Sequence, residues 1–297
     1  SGTVQKSSLR LNTTTGTVES TAGVVWDANA ILSAASTAGT ATVADPYVKP
    51  ADRNILTMAT VGGATTGVLF NVANKSSFDT AVLDALNTNP VNGATDGLAD
   101  QRINWIRGDH SNEVSSSGGT LRRRTNIMGD VINSGPVYKQ GADPALTGPG
   151  YLTFAQSVAN RTAMIYVGAN DGMLHAFRAS DGKELFAYIP RAVATRLNKL
   201  TDPNYQHQPY VDGVPQVGEA QIGGNWKTVL VSGMGGGANG VFALDVTNPT
   251  SFGPSNVLFE FTDANDPDIG SVLTAPTLVK LRVPGTSGSP DTYKWFV

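Results

Sequence analysis

Two stretches of this chain repeat one another, and the repeat limits the fold more than any other feature. "IYVGANDGMLHAFRAS" (165–180) and "VLVSGMGGGANGVFALDVT" (229–247) each run from an apolar strand through a Gly-rich turn into a second strand. Ala176-Phe177 falls over Ala243-Leu244. Each copy is followed by one more strand, "KELFAYIP" or "VLFEFTD". Each is preceded by small residues, a Pro and alternating apolar positions: "INSGPVYK" and "DGVPQVGEAQIGG". The lead-in recurs a third time in "SVLTAPTLVKLRV" (271–283), and a strand begins again at Tyr293. One unit is thus four short strands joined by Gly, Asp and Asn turns of the hairpin kind. A four-stranded antiparallel sheet repeated about an axis is a propeller blade. The expected fold is mainly β: two blades and part of a third over 129–297, with the Pro-bearing strand innermost. Closing a propeller takes about four to eight blades, so the chain reads as a piece of a longer protein that stops inside a strand.

Residues 1–128 read differently, as a small irregular α/β lead-in. Thr13 to Thr21 and Ser33 to Thr42 are rich in Thr, Ala and Ser and are expected as loops. Between them "VVWDANAILSAA" predicts a short helix capped by Asp27. "SSFDTAVLDALNT" predicts another, with Ser76 and Asp79 at capping-box spacing and Phe78, Val82 and Leu86 on one face. "DGLADQRINWIRGD" predicts a third, with Ala99, Ile103 and Ile106 along one side and Gly108 as a left-handed cap. The N-terminal Ser1-Gly2-Thr3 is neither a start Met nor a signal peptide.

Charged residues are 15% of the 297 and the net charge is −3. That argues against a nucleic-acid partner, which calls for a basic excess. There is no cysteine, which removes disulfides, thiolate metal sites and Cys nucleophiles together. No stretch approaches the ~18 to 20 apolar residues of a membrane span.

Few groups offer chemistry. Gly235 to Gly240 matches G-x-G-x-x-G, but a strand pattern follows where a phosphate loop needs a helix N-terminus. Asp263, Asn265, Asp266 and Asp268 form an oxygen-rich cluster of the kind calcium takes, but Pro267 interrupts it and the spacing is irregular. A solvated acidic loop is the simpler reading. His110, His175 and His207 lack ligand-spaced partners. His175 shares a strand face with Met173 and Phe177, as a packed or hydrogen-bonded histidine would. Arg122-Arg123-Arg124 suits pairing with nearby carboxylates or solvation rather than nucleic acid. Arg107-Gly108-Asp109 spells an integrin-recognition tripeptide, yet Arg107 also suits the last turn of a helix and Gly108 its cap. No catalytic residue and no cofactor-binding residue is assigned.

The segments "INWIRGDHSNE", "LRRRTNIMGDVINSGPVY", "MIYVGANDGMLHAFRASDGKELFAYIP", "LTDPNYQHQPYVDG", "NWKTVLVSGMGGGANGVFALDVT" and "FEFTDANDPDIG" resemble the PilC/PilY family of type IV pilus biogenesis proteins, nearly without a break from Ile103 to Gly270. The resemblance implies a modified, quinoprotein-like propeller at the pilus tip, cell surface or outer membrane. It implies a non-enzymatic role in pilus extension against retraction, twitching motility and adhesion. The implied partners are the pilus machinery, minor pilins or the pilus tip, with a host cell surface as a further candidate. The family's calcium loop has no good D-x-[DN]-x-[DN]-G match here, so calcium is expected in later blades, beyond Val297. Two other readings stand beside this one. The Gly-Ala-Asn-Asp-Gly-x-Leu-x-Ala-Phe wording also resembles blades of quinoprotein dehydrogenases that bind pyrroloquinoline quinone, although Phe177 and Leu244 stand where those enzymes dock a Trp. The other is a host adhesin acting through Arg107, Gly108 and Asp109.

Overall fold

The structure is a computed structural model that describes residues 3–37, 47–285 and 292–297. The lead-in holds a hairpin of β1 (Gln5–Leu11) and β2 (Val18–Asp27), helix α1 (Ala28–Thr37), a second hairpin of β3 (Ile55–Val61) and β4 (Ala64–Leu69), and helices α2 (Thr80–Leu86) and α3 (Ala99–Arg107). The first repeat supplies β5 (Val137–Lys139), helix α4 (Tyr151–Ser157), β6 (Met164–Gly168), β7 (Leu174–Arg178) and β8 (Glu184–Ile189), and α5 (Arg191–Ala194) follows. The second supplies β9 (Gln216–Ile222), β10 (Asn225–Gly233), β11 (Gly240–Asp245) and β12 (Val257–Thr262). A last pair, β13 (Val279–Val283) and β14 (Thr292–Phe296), begins a third sheet.

The repeat units are sheets, each Pro lying just ahead of its first strand. β9 to β12 form a four-stranded antiparallel sheet in sequence order. β5 to β8 do the same, but β3 and β4 extend that sheet to six strands. β3 pairs with β8 in parallel, Ile55 opposite Ala187 and Thr57 opposite Ile189. The lead-in therefore adds an outer hairpin to the first blade-like sheet. The pairing is long-range, and no local pattern around residue 55 announces it.

Helix ends follow the expected chemistry in part. Asp27 caps α1, its Oδ1 accepting from the Ala30 N–H at 2.8 Å. Phe78, Val82, Leu86, Ala99, Ile103 and Ile106 are all buried. Gly108 closes α3 at φ 114°, where a side chain would be strained. The Ser76/Asp79 capping box does not form. Residues Val72–Ser77 make a 3₁₀ turn capped by Asn71, so α2 starts later and Asp79 instead accepts from the Thr60 N–H at 2.9 Å. The expected Thr13 to Thr21 loop is shorter, because β2 begins at Val18, and Ser33 to Thr37 continue α1 rather than a loop. Residues 38–42 lie outside the described residues.

β6, β7, β10 and β11 are largely buried on both faces. The two faces of the first sheet serve different layers. Val167, Ala169 and Phe177 pack with Trp26, Ile31, Ile127 and Met128 of the lead-in. Tyr166, Leu174, Ala176, Phe186 and Tyr188 face the main core, shared with Val217, Leu230, Phe242 and Leu244 of the second sheet. Phe186 stacks on Phe252 across this layer with ring centroids 3.7 Å apart. Ala220, Val229, Val231 and Ala243 then turn to Leu278, just ahead of β13, and to Trp295 on β14.

Polar ties cross the first two sheets. Lys139 on β5 meets the buried Glu219 on β9 at 2.8 Å. The Tyr188 hydroxyl on β8 donates to Glu260 Oε1 on β12 at 2.5 Å. Asn133 donates to both carboxylate oxygens of Asp212, at 3.0 and 2.6 Å.

A glycine seam sets how closely the sheets stack. Gly168 ends β6 and Gly233 ends β10 at matching places. A Cβ on Gly168 would overlap the Val211 carbonyl, and one on Gly233 would overlap the Val272 carbonyl. Val211 stands four residues before Pro215, and Val272 four before Pro276. The lead-in of each unit thus passes over the glycine of the unit before it, in one register. Gly168→Ala and Gly233→Ala should each cost about 1–3 kcal/mol in denaturant unfolding, because the obstacle is backbone and cannot swing aside. Gly270→Ala, with nothing within 4 Å, is the control and should fall within about 0.5 kcal/mol of the parent.

Candidate functional site: a basic cleft over a buried ion network

Four charged side chains meet beneath the turn between β6 and β7. Arg53, just before β3, reaches Glu184 on β8 through Nε at 2.7 Å and Nη2 at 2.8 Å. His175 on β7 bonds Glu184 through Nδ1 at 2.7 Å and Asp171 through Nε2 at 3.0 Å. Asp171 also accepts from the Gly129 N–H at 2.9 Å. With a carboxylate on each ring nitrogen, His175 is held as imidazolium, and two cations balance two carboxylates. Its ring stacks on Phe177 with centroids 5.5 Å apart. The expected packed, hydrogen-bonded histidine is what β7 holds, but neither of its two charged partners, nor Arg53 beyond them, was read from the sequence.

Burial alone would lower the His175 pKa, yet Asp171 and Glu184 outweigh it and raise the value to about 9 from an ordinary 6.5. Burial would raise both carboxylates. His175 holds Asp171 below its ordinary value of 3.8, and Arg53 with His175 holds Glu184 below 4.5. His175 has a raised folded pKa, so its stabilisation is complete below pH 6.5 and fades as pH rises through about 9. Asp171 and Glu184 have lowered folded pKa values, so they stabilise above about pH 4.5 and fade on acidification. Urea unfolding should therefore show a stability plateau near pH 5 to 6.5, with a loss on the order of 3 kcal/mol by pH 10. His175→Gln should flatten the alkaline limb. Glu184→Gln leaves Arg53 buried and half-paired and should cost about 3–5 kcal/mol at pH 6.

Above this network lies a cleft of about 270 Å³ lined by Trp105, Arg122, Arg124, Asn170, Tyr205 and His207, with Asp171 at its floor. The Arg122 guanidinium stands 4.5 Å from the Tyr205 ring centre and 5.3 Å from that of Trp105. Its Nε donates to the Leu200 carbonyl at 2.7 Å. Arg124 lies 3.5 Å over Trp105 and donates to the buried Glu113 at 3.2 Å. Arg123 is exposed. The basic run therefore divides into one arginine paired with a carboxylate, one stacked on rings and one in solvent. His207 Nε2 meets Asp130 Oδ2 at 2.9 Å.

Arg107, Gly108 and Asp109 sit at the back of this region. Arg107 is 4% exposed, and its guanidinium donates to the carbonyls of Phe70, Ala51 and Arg53 at 2.8, 2.9 and 2.7 Å. Asp109 Oδ1 accepts from the Ser111 N–H at 2.7 Å. The tripeptide thus closes a helix, and its cation is not presented to a receptor. The capping reading of Arg107 and Gly108 is the one the structure bears out: three backbone carbonyls already use the guanidinium. Residues 263–268 are all exposed, and two of their side-chain oxygens turn to the loop's own backbone. Asn265 Oδ1 accepts from the Thr262 N–H at 2.9 Å, and Asp266 Oδ1 from the Asp268 N–H at 3.0 Å. Among the described residues no three His, Asp or Glu side chains gather as a metal site. Gly235 to Gly240 run directly into β11, as a strand turn and not a phosphate cradle.

The comparisons with known proteins fall on the same segments. A family model described as the PilY1 beta-propeller domain matches residues 128–282. The chain is 43% identical over 190 residues to the type IV pilus biogenesis factor PilY1 homolog of Xylella fastidiosa (strain Temecula1 / ATCC 700964), an alignment covering 61% of this chain and 15% of that protein. It is 41% identical over 201 residues to the type IV pilus biogenesis factor PilY1 of Pseudomonas aeruginosa (strain PAK), covering 64% of this chain and 17% of that protein. The crystal structure of the Pseudomonas aeruginosa PilY1 C-terminal domain aligns with a TM-score of 0.40 at 39% identity, over 48% of this chain and 29% of that one. The chain thus spans roughly a sixth of the length of these curated relatives. The model match covers just over half of the residues, takes in both repeat units, and agrees with the mainly β architecture; the chain belongs to the PilY1 beta-propeller domain family.

Proposed function

We propose that this chain is part of the propeller of a type IV pilus biogenesis factor. It acts as a non-enzymatic structural element at the cell surface, outer membrane or pilus tip. In the whole protein it supports pilus extension against retraction, and with it twitching motility and surface adhesion, in contact with the pilus machinery, minor pilins or the tip. The observation that carries this reading is the family match over 128–282, with relatives that bear the pilus biogenesis name. The side chains are in keeping with a structural role: His175 is fully used by Asp171 and Glu184 within the fold. Among the described residues no helix is long and apolar enough to cross a membrane. Calcium is assigned to later blades of the whole protein.

The test is genetic. In a piliated bacterium carrying the full-length gene, an in-frame deletion of the segment encoding residues 129–262 should abolish twitching zones and reduce pili recovered by surface shearing. Removing the retraction motor as well should restore the pili if the protein opposes retraction. Normal piliation and twitching in the deletion strain would overturn the proposal. So would dye-linked alcohol oxidation by the purified protein loaded with pyrroloquinoline quinone and calcium.

A further inference from the structure

The cleft over the ion network holds donors that the fold does not use. Arg122 lies over the rings of both Trp105 and Tyr205. Its Nε is taken by the Leu200 carbonyl, while its two terminal nitrogens make no hydrogen bond to a described residue. A guanidinium held in this way by two rings and a carbonyl has already lost much of its rotamer freedom, so little further order is lost when it grips an anion. Arg123, next to it, is exposed and unpaired among the described residues. Asn170 lines the same cleft at 4% exposure. Its Oδ1 accepts from the Tyr210 N–H at 3.0 Å, but its buried Nδ2 has no partner. An unpaired buried donor costs about 1–3 kcal/mol, which an acceptor entering the cleft would recover.

The charges in the cleft select among anions. Arg124 is neutralised by Glu113 and Asp171 by His175. Arg122 and Arg123 then face one further carboxylate, Asp130, whose partner is His207. The surplus is small, and Asp130 would repel a dianion such as phosphate. The volume, about 270 Å³, lies below the usual range for a small-molecule site and suits the end of one side chain. The rim residues Thr125 and Asn126 are exposed and polar, leaving a flanking backbone room to run across. We propose that this cleft is a docking site for a carboxylate of a polypeptide partner, gripped by Arg122 and Arg123 and by the Asn170 amide. The site stands independently of the pilus reading, because it rests on the cleft alone.

The experiment titrates the 297-residue chain with the capped peptide Gly-Gly-Asp-Gly-Gly and follows arginine Nε–Hε signals by NMR. The Asn version of the peptide, acetate and inorganic phosphate are the comparison ligands. The expected result is a saturable shift of the Arg122 signal with the Asp peptide and none with the Asn peptide. Arg122→Gln should weaken binding roughly 10-fold, the loss of about one bidentate charge-assisted pair. Arg123→Gln, at an exposed side chain that the fold does not need, should weaken it about 3-fold. The proposal is overturned by any of four results: no saturable shift, equal binding of the Asn peptide, tighter binding of phosphate, or an unchanged affinity in Arg123→Gln. Acetate binding as tightly as the Asp peptide would show a small-carboxylate site and overturn the polypeptide assignment.

Discussion

Strands that are apolar on both faces govern this structure. β6, β7, β10 and β11 cannot leave either face in water without exposing Leu, Val, Phe and Tyr side chains, each contributing about 1.5–3 kcal/mol when buried. The chain meets that demand by stacking. The lead-in covers the first sheet, the second sheet covers its other face, and β13 and β14 begin to cover the second. Close stacking then requires that backbone pass over backbone, which is why glycine ends β6 and β10 at equivalent places.

The lead-in is joined to this stack by more than apolar packing. Its second hairpin lengthens the first sheet, and Arg53 enters beside that hairpin to complete a neutral set with Glu184, His175 and Asp171. Arg107 ends α3 against the carbonyls of Ala51, Arg53 and Phe70. Two arginines from the lead-in thus lock α3, β3 and the first repeat together. A buried network of this kind adds little net stability over a well-packed apolar core, but removal of one member is costly. Its effect is to fix which segment lies against which.

Much of the repeat was legible because its signals are local. Gly and Asp-Gly turns, alternating apolar residues and a recurring Pro each act over a few positions, so β5 to β12 fall where the wording repeats. Val82, Leu86, Ile103 and Gly108 were equally readable, since helix faces and caps are set within one or two turns. The sequence was silent where the cause is distant. Nothing near Arg53 points to Glu184, 131 positions away, and the parallel β3–β8 pair has no turn to advertise it. Asp79 read as a capping-box partner because its spacing to Ser76 is right, and it lost that role because a 3₁₀ turn took the residues between. Arg107 to Asp109 follow the capping reading, with Arg107 in the last turn and Gly108 as the cap, while the three-letter likeness to a receptor motif says nothing about burial. In the cleft, the arginine run was visible, but the rings that hold Arg122 come from Trp105 and from Tyr205, far along the chain.

The glycine seam also bears on the order in which the layers can be completed. Gly168 is covered by Val211 and Gly233 by Val272, so each sheet is sealed by the chain that comes next rather than by its own strands. The segments that seal Gly168 and Gly233 each come from the next unit, while the lead-in also reaches the second unit, Asn54 Nδ2 donating to the Phe252 carbonyl at 2.9 Å. A chain emerging from its N-terminus could therefore lay down one sheet at a time on a surface already formed. At each stage the exposed edge would be a single glycine-lined face awaiting the next segment, and a delay in synthesis or export would leave that one face, rather than a whole unfolded domain, open to the wrong partner.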